Sequence, residues 1–282
     1  MQPTYLTPCM LSHLSDIGFR MEEEEELSAL VETLSNDGDP IPVRAGYYVV
    51  CRLEGGIELW MQFNRNGEWL GLNPHFRGES KLRLLLNHTI FRNDEQLDGA
   101  FHAWADPTRE AIRASMQNER LQSGSLPGLF PFVFDLPDFH TLPGLQLPQV
   151  AEVQIAAFAH EMHCFDDEAQ YFAAQDEADD QFAVESFIPL GLLTDDEQEE
   201  PEAFARLSGR VLKTEYLENP HTGHGFHWAL VRTLGGEVDV LCDPDLLENA
   251  PEVGGIVSGD FWLSGRLCNP LELGDYEMLT IN

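Results

Sequence analysis

Three histidines at regular spacing form the densest group of metal-binding side chains in the sequence. They are His221, His224 and His227, and they lie across a turn rich in proline and glycine that leads into a predicted strand. Neutral imidazoles bind zinc and other transition metals, and three of them leave one coordination position open for water. The spacing HxxHxxH matches no standard motif. It predicts either a metal site at these residues or loop histidines without a ligand role.

Two further histidines, His160 and His163, flank Glu161 in a segment one residue shorter than the HExxH motif of metalloproteases. On a helix, side chains three residues apart are neighbours. On a strand they face opposite sides. The apolar run before His160 indicates a strand, which argues against a shared metal.

Asp135 and Asp138 could act as paired carboxylates in acid and base chemistry or in cation binding. They flank Pro137, and aspartates beside a proline commonly accept backbone hydrogen bonds in turns. A role in the turn is therefore the alternative.

The sequence contains no P-loop, no GxGxxG, no GxSxG and no HExxH, so the familiar nucleotide, hydrolase and metalloprotease signatures are absent.

The charge of the chain is strongly negative, with 49 acidic against 16 basic residues and a formal net charge of −33. The excess is uneven, because residues 146–282 hold 28 acidic and only 5 basic residues. Nucleic-acid binding depends on cations that displace counterions, so direct binding of nucleic acid is disfavoured. Such a surface suits a basic protein partner. Solubility, or a cell interior that selects acidic surfaces, is the alternative.

The compartment and the size class follow from simpler features. A chain of 282 residues can bury a sizeable core without disulfides. Its apolar runs are far shorter than the roughly 20 residues of a membrane span, and residues 1–10 do not resemble a secretory signal. Five scattered cysteines fit reduced thiols. The expectation is a soluble cytoplasmic protein that does not bind membranes.

The order of predicted elements indicates an α+β fold in two β-rich units. We expect an N-terminal α+β domain at 1–145 and an acidic C-terminal domain at 146–282, joined through a stretch rich in proline and glycine at 136–148. The first unit is predicted as a strand at 13–19, a helix, and three strands. The second includes a hairpin at 226–242 around Gly235 and Gly236.

The order β, α, β, β, β in the first unit resembles half of a glyoxalase/dioxygenase-like (vicinal oxygen chelate) module. That family holds a metal through a histidine on its first strand and a carboxylate on a late strand. The resemblance implies roles for His13, Glu58 and His75. The chain lacks a clear second copy, which that architecture needs to close its metal cup. The alternative is that Glu58 points outward from an ordinary hairpin.

The C-terminal segment, at about 203–268, resembles an OB-like barrel in strand order and in its interior glycines. Phrases in the segment 255–267 are also similar to bacterial proteins of uncharacterised function, and that similarity implies no activity. Tryptophans on an OB-like face would stack bases. The few basic residues nearby argue against that use, and the tryptophans are more simply core residues.

Two functions remain open, and whether the chain is an enzyme is undecided at this point. The first is a non-enzymatic interaction protein that recognises a basic partner through its acidic surface. The second is a metal-dependent enzyme that acts on a small molecule through a histidine and carboxylate site. The sequence identifies no cofactor and no oligomeric state.

Overall fold

The computed structural model describes residues 13–21, 23–36, 38–92, 97–117, 119, 124–142, 144–175, 181–192 and 200–270. Its helices are α1 (Glu24–Ser35), α2 (Arg109–Gln117) and α3 (Glu168–Ala173). The strands are β1 (Asp39–Pro42), β2 (Gly46–Arg52), β3 (Ile57–Asn64), β4 (Trp69–Phe76), β5 (Leu82–Phe91), β6 (Gly99–Ala105), β7 (Pro131–Leu136), β8 (Gln149–Phe165), β9 (Ser186–Ile188), β10 (Phe204–Glu218), β11 (Gly225–Thr233), β12 (Gly236–Cys242) and β13 (Ile256–Pro270). The predicted α+β class is confirmed.

A four-stranded antiparallel sheet in the order β1-β2-β3-β4 forms the N-terminal part of the fold. Gly55 and Gly56 in the turn between β2 and β3 have φ of 78° and 88°, a conformation that glycine adopts at little cost. The predicted hairpin is therefore present, with Val49 opposite Met61. We call this sheet the small sheet.

The other nine strands form a barrel-like sheet built around one long ribbon. Strands β8 and β13 pair along almost their whole length. The strands β5, β6 and β7 close one side of this ribbon, and β12, β11 and β10 close the other. Strands from both sides of residue 146 are thus hydrogen-bonded to one another. The predicted boundary between two domains stays a prediction, as does the OB-like character of 203–268.

Alternation along β8 separates the interior of the barrel from its outer face. Val153, Ile155 and Ala157 lie in the barrel core, whereas Ala156 and Phe158 belong to a second core on the outside. That second core also contains α1 and residues of the small sheet, such as Leu59 and Met61. The small sheet is therefore attached to the barrel by apolar packing, the dominant favourable contribution to folding.

Both faces of the small sheet are covered. Leu59 on β3 packs in the outer core, and its neighbour Trp60 packs with Tyr48 and Leu97 on the opposite face. Glu58 lies on the Trp60 side and has no solvent exposure. The alternative that Glu58 points outward is wrong, because the face on which it lies is buried too.

The segment before α1 also differs from the sequence-based expectation. Residues 13–15 are helical, so the strand predicted at 13–19 is wrong. Leu14 and Ile17 are fully buried and three residues apart, which is close to one helical turn. Gly18, at φ 80°, then allows the Phe19 amide to donate to the Leu14 carbonyl. Among the described residues no helix is long and apolar enough to cross a membrane.

Candidate functional site

A cavity of about 320 Å³ lies where β4 of the small sheet meets the barrel. Its wall combines two histidines, three carboxylates, an arginine and flat apolar side chains. The lining residues are His13, Asn73, Pro74, Arg92, Asp98, Gly99, Asp135, His160, Glu202, Ala203, Phe204 and Trp262. We call this cavity the histidine pocket. Small-molecule sites are typically concavities of this kind, largely apolar with a few convergent polar groups.

His13 and His160 contact each other directly in this pocket, with their Nε2 atoms 2.7 Å apart. Burial lowers the pKa of His13 to about 3, and the neighbouring His160 lowers it further in the same direction. The pKa of His160 is also lowered by burial, against an opposing effect of Asp260. Both rings are therefore uncharged at neutral pH. One Nε2 must carry the hydrogen that the other accepts, so the two rings are opposite tautomers.

The position of His160 depends on a β-bulge in β8. Ala159 pairs with Phe261 and Glu161 pairs with Asp260, so His160 is the extra residue of the bulge. Gly259 lies beside this bulge, where an added Cβ would come within 2.0 Å of the Glu161 carbonyl. A bulge redirects a side chain that regular alternation would place elsewhere. Here it allows His160 to line the pocket.

The position of His13 depends on Trp262, against which its ring stacks with a centroid distance of 4.5 Å and an angle of 7°. The indole Nε1 of Trp262 donates to Asp135 Oδ2 at 2.7 Å. Arg92 holds the same carboxylate, donating from Nε at 2.9 Å and from Nη2 at 2.7 Å to Oδ1. Asp135, one of the two carboxylates considered as a pair with Asp138, thus forms an ion pair that orients a tryptophan.

Asp98 supplies a further carboxyl group at the pocket wall. Its Oδ1 accepts hydrogen bonds from Asn73 Nδ2 at 2.5 Å and from Gln62 Nε2. Burial raises the pKa of Asp98, and these two hydrogen bonds partly oppose that effect. A carboxyl group with a raised pKa is a candidate proton donor or acceptor near neutral pH.

The histidines predicted as metal ligands lie away from this pocket. His221 and His224 are exposed in the turn between β10 and β11. His227 lies on β11, where its ring contacts Tyr216 at 4.9 Å. Within the described ranges, no group of three or more His, Cys, Asp or Glu side chains is arranged to hold a metal. Binding of a metal by these three histidines stays a prediction.

His163 is separated from His160, as expected for residues on a strand. Its side chain is 60% exposed and its Nε2 lies 3.0 Å from Glu161 Oε1. The two histidines of this segment therefore have different surroundings, one in the pocket and one in solvent.

The residues suggested by the vicinal oxygen chelate resemblance are only partly brought together. Glu58 and His75 are opposite each other on β3 and β4. His75 is fully buried, and its ring contacts Ser264 Oγ at 2.9 Å and Gln154 Oε1 at 3.0 Å. Burial lowers the pKa of His75 to about 4. His13 contacts His160 in the histidine pocket instead.

The pairing of His13 with His160 has no signal in the sequence, because 147 residues separate the two histidines. The sequence patterns likewise do not identify Arg92, Asp98 and Trp262 as site residues.

Comparison of the chain with protein-family models, with curated proteins and with solved structures finds no match.

Proposed function

We propose that the histidine pocket binds a small organic molecule and that His13 and His160 exchange a proton with it. The supporting observation is the 2.7 Å contact between two imidazoles with lowered pKa values at the wall of a cavity. A neutral imidazole pair can accept a proton on one ring and release one from the other. Positioned groups of this kind are how general acid and base catalysis operates.

A buried pair of histidines also occurs as a simple core contact. The surroundings favour a binding site, because the pair lines a cavity of about 320 Å³. The ion pair of Arg92 with Asp135 orders Trp262, and Trp262 in turn orders His13. Such a supporting layer is typical of preorganised sites.

The chemistry of the wall indicates which molecules would enter. Trp262 and Phe204 supply flat apolar surface, and Asp98 and Glu202 supply carboxyl groups. Among the described residues of the wall, the one arginine is Arg92, which is already paired with Asp135. A neutral or cationic molecule with a flat apolar part therefore fits better than an anion.

A fragment screen by ligand-observed NMR tests this proposal. The library contains neutral, cationic and anionic heteroaromatic compounds of matched shape. We expect neutral and cationic fragments to bind the wild-type protein and to lose tenfold or more in affinity with His160→Ala, a loss of about 1.4 kcal/mol.

His163→Ala is the matched control, since His163 lies on the same strand but outside the pocket and is 60% exposed. Fragment binding should survive this change. Fragments that bind His160→Ala with the same affinity as the wild-type protein would contradict the proposal. A preference for the anionic compounds would also contradict it.

A second function, recognition of a basic protein partner, is favoured by how the charges are arranged. Within the described residues, ten of the sixteen lysine and arginine side chains of the chain contact a carboxylate, at distances of up to 3.2 Å. Few cations are left to offset the remaining acidic residues. On α1 the exposed carboxylates of Glu25, Glu26 and Glu32 share one helix. A negative surface steers basic partners toward it.

Binding to a lysine-rich peptide tests the partner proposal. We expect the affinity to fall at least tenfold between about 50 mM and about 500 mM salt, because screening weakens exposed charges. Replacing Glu25, Glu26 and Glu32 together by lysine should weaken binding at low salt. An affinity that changed neither with salt concentration nor with the replacement of the three glutamates by lysine would rule the proposal out.

A further inference from the structure

Three arginines converge on one buried carboxylate outside the lining of the histidine pocket. Glu58 Oε1 lies 3.2 Å from Arg52 Nε, 3.1 Å from Arg77 Nε and 3.2 Å from Arg266 Nη1. The other oxygen, Oε2, accepts from Trp60 Nε1 at 3.1 Å. We call this group the arginine cluster.

The backbone fixes the arginine cluster from three directions. Arg52 is the last residue of β2, Arg77 directly follows β4, and Arg266 lies on β13 of the barrel. Arg52 also lies over the ring of Trp60, 5.8 Å from its centroid. The three guanidinium groups are therefore held by strands of both sheets.

The charges of the arginine cluster do not balance. Three cations share one carboxylate, which leaves a formal excess of two positive charges. Every other lysine or arginine in an ion pair among the described residues has at least one carboxylate to itself, as Arg83 has Asp106. Local cation excess is unusual in a chain with a formal net charge of −33.

The hydrogen-bonding capacity of the arginine cluster is also largely unused. A guanidinium carries five N–H donors. Within the part of the chain that the structure describes, Arg52 Nε and Arg266 Nη1 each donate one hydrogen bond to Glu58, and Arg77 forms an ion pair with it. The side chains are 36%, 46% and 36% exposed, so a solute can reach them. Asp138 is a nearby acid whose carboxyl group interacts with Arg266, and burial raises the pKa of this carboxyl group.

We propose that Arg52, Arg77 and Arg266 form a binding site for a phosphate group. Guanidinium forks match the oxygens of phosphate in geometry. A phosphate monoester carries about −1.5 to −2 charge at pH 7, which would offset the excess of two positive charges. The site is separate from the histidine pocket, and neither proposal depends on the other.

Titration with inorganic phosphate, followed through the arginine Nε–Hε NMR signals and by calorimetry, tests the site. We expect phosphate to shift the signals of Arg52, Arg77 and Arg266, and Arg77→Gln to weaken binding tenfold or more. Arg77→Gln leaves two arginines to compensate Glu58, so the fold should persist. A phosphomonoester forms a second arm, and tighter binding of the ester would indicate a ligand that extends beyond its phosphate.

Arg83→Gln is the matched control, because Arg83 pairs with Asp106 on the surface and should leave phosphate binding unchanged. His160→Ala should also leave it unchanged, which separates this site from the histidine pocket. Sodium chloride at equal ionic strength controls for screening. Equal shifts with chloride, or an unchanged phosphate affinity in Arg77→Gln, would overturn the proposal.

Discussion

Asp239→Ala is expected to lower the free energy of unfolding by at least about 3 kcal/mol, the largest loss of stability that we predict for a single change. Asp239 is fully buried on β12 and accepts four hydrogen bonds. The donors are Glu79 N and Trp228 Nε1 at 2.9 Å, Gln154 Nε2 at 2.8 Å and Ser80 N at 3.0 Å. Alanine would leave four donors without this acceptor, and three of these hydrogen bonds are buried. Denaturant unfolding at pH 7 measures the effect.

Two variants calibrate this result. Asp239→Asn keeps the shape but retains only one acceptor oxygen, so its loss should be intermediate. Glu185→Ala breaks an exposed ion pair with Arg232 and should cost less than about 1 kcal/mol. If Asp239→Ala lowered the free energy of unfolding by no more than Glu185→Ala does, Asp239 would not be the link between the barrel and the chain at 79–80.

Acidification from pH 7 to pH 5 is expected to destabilise the protein by about 2 kcal/mol through His13. The pKa of His13 is about 3 in the folded state, where the ring is 6% exposed, against 6.5 as the ordinary value. Between these pH values the unfolded chain binds a proton that the folded protein does not. Stability through this group is therefore complete above pH 6.5 and is lost as the pH falls toward 3.

The contribution of His13 is measured as a difference between variants. Buried Asp16 and Asp98 have raised pKa values, and their effect on stability has the opposite dependence on pH. His13→Gln removes one titrating group and should reduce the loss of stability between pH 7 and pH 5 by about 2 kcal/mol. His163→Gln changes an exposed histidine and should leave that loss almost unchanged. Equal pH dependence in wild type and His13→Gln would contradict the neutral state of His13.

Local signals in the sequence were sufficient for the hairpins. Gly55 and Gly56 predicted the turn between β2 and β3, and Gly235 and Gly236 predicted the turn between β11 and β12. In the structure all four glycines have positive φ. Turn residues and the alternation of apolar and polar residues are signals that extend over only a few positions. A single sequence is therefore sufficient to identify them.

The alternation of residues along β3 shows which residues share a face of the strand. It does not show whether each face is covered, and Glu58 was therefore wrongly expected to point outward. On β3 the apolar Trp60 lies on the same face as Glu58, which is a sign that both faces are buried. The sequence also contains the helical spacing of Leu14 and Ile17, but in so short a segment this spacing does not distinguish a helical turn from a strand.

The histidine pocket could not be predicted from local patterns. It depends on a β-bulge at His160, on a stacking contact between His13 and Trp262, and on the packing of β4 against the barrel. These are contacts between residues far apart in the chain. Tertiary packing, which a single sequence does not display, decides them.

The proposed proton exchange depends on the protonation state of the two histidines in the pocket. Nitrogen-15 NMR of protein labelled at histidine measures this protonation state directly. We expect His13 to stay neutral from pH 7 to pH 5 and His160 to be protonated only below the ordinary range of a histidine, with a hydrogen on one Nε2 and none on the other at pH 7. Exposed His163, which lies outside the pocket, gives a reference signal in the same spectra. Titration of both His13 and His160 near pH 6.5, or identical tautomers in the two rings, would contradict the proposed proton exchange.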